Sequence, residues 1–292
     1  MNPFFPVAAA LLVLISNGVR AAEPVLPQLK AYTTDDSWRQ PVPSFALGEH
    51  SWYIGTRALS AVLIKTSQGA VLIDGGLPQA ADMLIKRMKD LGVAPGDLKV
   101  IVLSHAHIDH AGPLAEIKRR TGARVVANAE SAVLLARGGS DDIHFGEGLV
   151  FPPVTVDRII MDGEVVELGE LRLTAHFTPG HTPGSTSWTW DDARDGKKLQ
   201  IAYVDSLSAP GYRLVDNPRY PHIVDDYRRA LAVVKTLPCD LLLTPHADAS
   251  GWKPDNTRQP NPNPMSCKAY AEGAERKFEA ELSKQRAAIR RE

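Results

Sequence analysis

The pattern of this chain predicts an α/β fold in which two β-sheets lie between outer helices, an αβ/βα sandwich of four layers. Three observations predict it. A β-rich run that passes into strand–helix alternation occurs twice along the sequence. The 292 residues are 44% apolar and 23% charged, ordinary globular composition with enough apolar mass for a sizeable core. Three strand-like runs end on a histidine, at His105, His181 and His246, and in layered folds strand ends are where side chains converge without disturbing packing.

The elements follow in order. Residues 1–21 read as a secretory signal peptide: an apolar stretch Val7–Ile15, then Asn17-Gly18, then small residues before cleavage near Ala21 or Ala22. The apolar stretch is too short to span a bilayer, so the expectation is export to the periplasm and no membrane anchor. Residues 22–292 then form one domain. Ser51–Ile54, Ser60–Thr66 and Ala70–Ile73 form a strand meander ending at Asp74-Gly75-Gly76. Pro78–Leu91 is helical by period, with Ala81, Met83, Leu84, Met88 and Leu91 on one side. Leu98–Leu103 is a buried strand by length and branching. Gly112–Arg120 returns to helix, Arg124–Ala127 to strand and Ala129–Arg137 to helix, before a polar, Gly-rich loop to about Pro153. The second half carries strands near Val165–Leu168, Leu171–Phe177, Ser185–Trp190 and Gln200–Val204. Helix Ile223–Leu237, strand Asp240–Thr244, a Pro/Asn-rich loop Lys253–Pro264 and an amphipathic helix from Cys267 to about Arg286 close the chain.

Charge narrows the function classes. The net charge of −1 supplies no basic field to attract nucleic acid or an anionic membrane. The two cysteines, Cys239 and Cys267, most simply pair as a disulfide in an oxidising compartment; the alternative, one of them on a metal, has no support from a nearby histidine.

The run Ser104–Gly112 carries the chemistry. It places His105, His107, Asp109 and His110 within six positions, and imidazole nitrogens with carboxylate oxygens are the usual ligands of zinc. His105 and His107 alternate on an extended backbone, whereas Asp109 and His110 lie past the turn. This spacing groups His105, His107 and His181 around one zinc ion and Asp109, His110 and His246 around a second. His50, His144, His176 and His222 lack such context and read as ordinary surface or hydrogen-bonded histidines.

The segments His105-Ala-His-Ile-Asp-His-Ala-Gly, Pro179-Gly-His-Thr-Pro-Gly-Ser and Asp205-Ser-Leu-Ser-Ala-Pro-Gly-Tyr resemble the metallo-β-lactamase superfamily, and within it subclass B3 of the class B β-lactamases. The resemblance runs from about Trp52 to the C terminus. It implies the metallo-β-lactamase sandwich, two Zn²⁺ per subunit and hydrolysis of penicillins, cephalosporins or carbapenems by a hydroxide shared between the metals, conferring antibiotic resistance. It also implies roles: Asp109 orients the nucleophile, Tyr212 hydrogen-bonds the substrate carbonyl, and Ser206 and Ser208 bind the substrate carboxylate. Asp74 would steady the metal loop. Read from the residues themselves, the Gly138–Pro153 loop with Ile143 and Phe145 is either an apolar rim over the substrate or plain surface, and Met161 is either an exposed anchor of a homotetramer, the assembly of some relatives, or core. The superfamily also contains thioesterases and lactonases, so fold alone does not choose the substrate. A glyoxalase II-like reading would make Asp205 a metal bridge; the subclass B3 resemblance instead puts Ser206 at the metal-facing position and Asp205 outside the ligand set. A zinc-binding cysteine, required by subclass B1, is absent there.

Overall fold

The computed structural model describes Met1 and residues 34–290, so the signal peptide expected over 1–21 lies, Met1 apart, outside the described residues. Two sheets stack face to face. The first has seven strands in chain order: β1 (Phe45–Ala46), β2 (Ser51–Tyr53), β3 (Val62–Thr66), β4 (Gly69–Ile73), β5 (Leu98–Val102), β6 (Arg124–Ala127) and β7 (Arg158–Ile159). Neighbours are antiparallel from β1 to β4 and parallel from β4 to β7. The second sheet contains β8 (Val165–Leu168), β9 (Leu171–Phe177), β10 (Thr186–Arg194), β11 (Lys197–Tyr203) and β12 (Leu241–Leu243). Its first four strands are antiparallel, and β12 lies parallel to β11 at the edge.

Strand alternation assigns each side chain to a layer. Val62, Ile64, Val71, Ile73, Val100 and Val102 meet Ile201, Tyr203, Leu241 and Leu243 between the sheets. The intervening Leu63, Ala70, Leu72 and Ile101 face outward onto α1 (Ala81–Asp90), α3 (Leu114–Thr121) and α4 (Ala129–Ala136). On the opposite face, Ala202 and Leu242 meet α5 (Ile223–Thr236) and α6 (Cys267–Ile289). Four layers therefore enclose three apolar cores, the predicted sandwich.

Differences from the sequence reading are local. The helix expected over Pro78–Leu91 opens with a 3₁₀ turn at Pro78–Ala80, where proline supplies no N–H, and becomes α-helical at Ala81. The metal-ligand run itself folds into the short α2 (Ile108–Ala111). Strand β10 extends to Arg194 because its solvent-side end stays paired with β11 through Lys197. Two-residue β1 and β7 carry too few residues for a period-2 signal. Cys239 and Cys267 form a disulfide, S–S 2.05 Å.

The parallel pairs decide where chemistry can sit. Strands β4 and β5 end together in the first sheet, and β11 and β12 end together in the second. The sheets are tied at this end: Ser60 N–H donates to Pro245 O at 2.8 Å, and Thr186 N–H to Ser104 O at 2.8 Å. Trp188 Nε1–H donates to Leu103 O at 2.9 Å. The histidine-bearing loops are thus fixed to one another across the sandwich.

Candidate metal centre

Asp74 ends β4 in a left-handed conformation, φ 56°. This turn points a fully buried carboxylate at the chain leaving β5: Oδ1 accepts from Ser104 N and Oδ2 from Ser104 Oγ, both at 2.7 Å, and Tyr203 OH donates to Oδ2 at 2.8 Å. Asp74 Oδ2 also lies 3.7 Å from His110 Nδ1. Asp74 thereby ties the end of β4 to the start of the His-rich loop.

Ligand atoms of His105, His107 and His181 lie within 4.8 Å of one another, and those of His105, Asp109 and His110 do likewise. His105 belongs to both groups, so the two candidate ion positions are adjacent. His246 joins through Asp109, whose Oδ2 is 3.2 Å from both His110 Nε2 and His246 Nε2. All six expected ligands therefore converge, with His246 the most exposed.

In the first group, His105, His107 and His181, each imidazole turns one nitrogen to a protein acceptor. His105 Nδ1–H donates to Asp205 Oδ1 at 2.7 Å, and His181 Nδ1–H donates to the Ser208 carbonyl at 2.8 Å. His107 Nε2 faces Asp142 Oδ2 at 3.3 Å. Fixing one ring nitrogen sets the tautomer and aims the other, the usual support for a metal-binding histidine. Buried His105 Nε2 and both nitrogens of His110 lack hydrogen-bond partners among the described residues. Buried nitrogens are not ordinarily left so; converging orphaned donors and a carboxylate fit a metal ion, zinc by ligand type.

Electrostatics agree. Burial lowers His105 and His181 well below the ordinary histidine range, so both are neutral as ligands must be. Burial alone would raise Asp109, but neighbouring His110 and His246 outweigh it and hold the carboxyl well below its usual range. Burial opposes protonation of His110, yet the Asp109 carboxylate pushes it up to about 9. Burial raises Asp74 and Asp205, carboxyls in a dry site whose negative charge a cation would offset.

The remaining predicted residues divide. Ser206 is buried at the end of β11 and Ser208 is exposed, its carbonyl also accepting from Tyr227 OH at 2.6 Å. Tyr212 is buried, with its hydroxyl 3.4 Å from His181 Nδ1 and its ring stacked on His144 at 3.4 Å. Phe145 packs 5.3 Å from His107, beside the site, and half-buried Ile143 packs against the cluster that contains Tyr212, Leu214 and Tyr220. His50 and His222 are exposed, and His176 binds Thr189 Oγ1 at 2.7 Å; His144, also outside the ligand set, sits against it through Tyr212. A cleft of about 630 Å³ lies between residues 207–211 and α6, lined by Ser208 but by none of the six ligands.

Two site residues escaped sequence reasoning. Trp38 stands 5.0 Å from the His246 ring, in a short 3₁₀ turn whose one signal was a tryptophan within a polar run. Asp142 lies in a loop that reads as plain surface, yet is 2% exposed. Burial would raise its pKa, but His107 and the His144 and Phe145 amides hold it well below the carboxylate range.

Comparison with known proteins agrees with this geometry. The Metallo-beta-lactamase superfamily profile matches residues 54–195. The chain is similar to a solved Cronobacter sakazakii metallo-β-lactamase with a HARLDQ motif (mutant S60), with a TM-score of 0.82 and 39% identity, covering 87% of this chain and 99% of that one. BJP-1, a subclass B3 metallo-β-lactamase of Bradyrhizobium japonicum, gives a TM-score of 0.78 at 37% identity, covering 87% and 98%. A hydroxyacylglutathione hydrolase of Bradyrhizobium sp. (strain ORS 278) is 29% identical over 143 residues, 49% of this chain and 46% of that protein. The chain thus spans about half the length of the curated relatives it matches. With the sandwich, the strand-end histidines and near-complete coverage of these structures in agreement, the chain is an enzyme belonging to the metallo-β-lactamase superfamily.

Proposed function

We propose that the protein hydrolyses the amide bond of β-lactam antibiotics, holding two Zn²⁺ ions on His105, His107 and His181 and on Asp109, His110 and His246. The observation that carries this reading over the thioesterase alternative is the bond from His105 Nδ1 to Asp205 Oδ1 at 2.7 Å. It occupies one Asp205 oxygen with a histidine, which supports a positioning role for Asp205 over a bridging one. Near-complete overlap with β-lactamase structures supports the same choice.

Zinc at this position would supply Lewis acidity and a water acidic enough to act near neutral pH. The chain's own residues do the rest. Asp109 accepts a hydrogen bond from the attacking water and orients it. Ser206 and Ser208 donate to the substrate carboxylate, and Tyr212 OH, beside His181, donates to the carbonyl oxygen as charge develops. Water oxygen adds to the lactam carbon, the C–N bond breaks, and the released nitrogen takes a proton. Phe145 shields this face from solvent.

Hydrolysis of a carbapenem with and without a chelator tests the proposal, alongside steady-state rates on a thioester and a lactone. Chelator-sensitive carbapenem turnover that exceeds the other two is expected. A purified protein that binds two zincs yet leaves penicillins and carbapenems intact overturns it, and faster thioester turnover would favour the hydroxyacylglutathione hydrolase relatives' chemistry. The same reading places the mature protein in the periplasm, where it confers resistance; N-terminal sequencing of periplasmic protein checks the cleavage near Ala21. Among the described residues no helix is long and apolar enough to cross a membrane. A homotetramer anchored at Met161 draws support from that side chain's 69% exposure beside Ile159, 49% exposed on edge strand β7. A sizing column on wild type and Met161→Ala checks it.

A further inference from the structure

We infer that Asp142 is a positioning residue for His107, fixing its Nε2 so that Nδ1 is the atom offered to the metal. The loop over the site is thereby coupled to metal loading. This rests on the metal-holding part of the reading above and not on the identity of the substrate.

The three histidines of the first group do not stand in equivalent surroundings. His105 and His181 have Nδ1 bonded to the protein, to Asp205 and to the Ser208 carbonyl, which leaves Nε2 for a metal. For His107 the arrangement is reversed: Nε2 faces Asp142 Oδ2 at 3.3 Å. Both atoms are buried, and apart from this 3.3 Å contact neither has a polar partner at hydrogen-bond geometry among the described residues. Two buried polar atoms facing only each other are a pair by elimination. Their looser alignment is common for hydrogen bonds of a site without its ligands.

Asp142 is built into this position. Its Oδ1 accepts from the backbone N–H groups of His144 and Phe145, both at 2.8 Å, so only Oδ2 is left for His107. From outside, Arg219 clamps the turn: Nη1 donates to Asp142 O at 3.1 Å and Nη2 to Asp141 O at 3.0 Å. Phe145, next but two along the chain, packs its ring 5.3 Å from His107. A residue 35 positions from His107 in sequence is therefore held by its own loop at one specific oxygen and one specific nitrogen.

The consequence is a tautomer requirement. A carboxylate accepts only, so Nε2 must carry the proton and Nδ1 the lone pair. Asp142→Asn keeps Oδ1 for the two amides, hence the loop, but presents an NH₂ donor to Nε2. That favours the opposite tautomer, with a proton on the nitrogen meant for the metal.

The test measures zinc affinity by chelator competition in wild type, Asp142→Asn, Asp142→Ala and Arg219→Ala, with ¹⁵N-histidine spectra of the zinc-loaded proteins. Loss of a supporting partner typically weakens metal binding about ten- to hundred-fold. That loss is expected for one of the two zincs in Asp142→Asn, with the second retained and the His107 ring signals shifted. Arg219→Ala, which loosens the loop but keeps the carboxylate, should lose less. The inference is overturned if folded Asp142→Asn binds both zincs as wild type does, or if Arg219→Ala loses as much as Asp142→Asn, since loop order alone would then account for the effect. Should Asp142→Ala fail to fold, Asp142→Asn still decides. A wild-type protein that binds fewer than two zincs would instead count against the dinuclear reading itself.

Discussion

Asp205 is the residue on which two enzyme chemistries divide. It is fully buried, and one oxygen is taken by His105 Nδ1. As a bridging ligand its loss would abolish zinc binding; as a support for His105 its loss should only weaken it. Asp205→Ala is therefore expected to retain two zincs at saturating metal, with affinity lowered about ten- to hundred-fold. Metal content by mass spectrometry, with chelator competition for affinity, separates the outcomes. At this scale the sequence was legible where ligands cluster or close strands: all six proposed ligands converge. Asp142 and Trp38 were not legible, because nothing local marks a loop aspartate or an N-terminal tryptophan as buried against a histidine. Their roles arise from contacts 35 and more than 200 positions apart along the chain.

Elements were legible from periodicity, and the attachments between them were not. Helix α1 illustrates both. Its apolar face was predicted from Leu84 and Met88, yet Arg87 on the same helix is also buried. Its guanidinium donates to Ile54 O at 2.6 Å and to the carbonyls of Gly55 and Val42, joining α1 to the irregular chain before β3. Arg87→Met fills much of the volume but leaves three buried acceptors unpaired. It is expected to cost about 2–4 kcal/mol, by the net value of hydrogen bonds to a charged group; urea unfolding measures this. Helix α3 gives a pH prediction. The hydrogen bond from Arg119 holds Glu116 below its ordinary value of 4.5. A depressed carboxyl stabilises the fold above its unfolded-state pKa, and that contribution is lost as pH falls through the folded value. Wild type should therefore exceed Glu116→Gln in urea midpoint at pH 7, and the gap should close as pH falls below about 4.5. A gap that widens in acid would contradict the assignment.

Across the whole molecule, the metal centre depends on a layer that contains none of its ligands. Helix α6 begins at Cys267, whose disulfide ties it to Cys239 in the connection from α5 to β12. Along α6, Phe278 packs on Tyr227 of α5 with ring centroids 4.8 Å apart. Tyr227 OH donates to the Ser208 carbonyl, the acceptor that also holds His181 Nδ1. Gly180, φ 142°, admits the Tyr227 ring where a Cβ would lie 2.8 Å from it, so this contact has little slack. The disulfide closes a loop of 28 positions, worth about 3–4 kcal/mol in the loop-entropy account. For a domain of this size that corresponds to roughly 6–15 °C in Tm. Neither cysteine is among the grouped metal ligands, so at room temperature a Cys239→Ser/Cys267→Ser double variant should carry the same zinc as wild type. On heating, its unfolding and zinc release should move down together by that interval, because loss of α6 removes the support of Tyr227 and through it of His181. Calorimetry with a zinc-sensitive dye follows both transitions. An unchanged Tm would show that α6 docks without the bridge, and zinc release well before unfolding would show that the centre is not held through this layer.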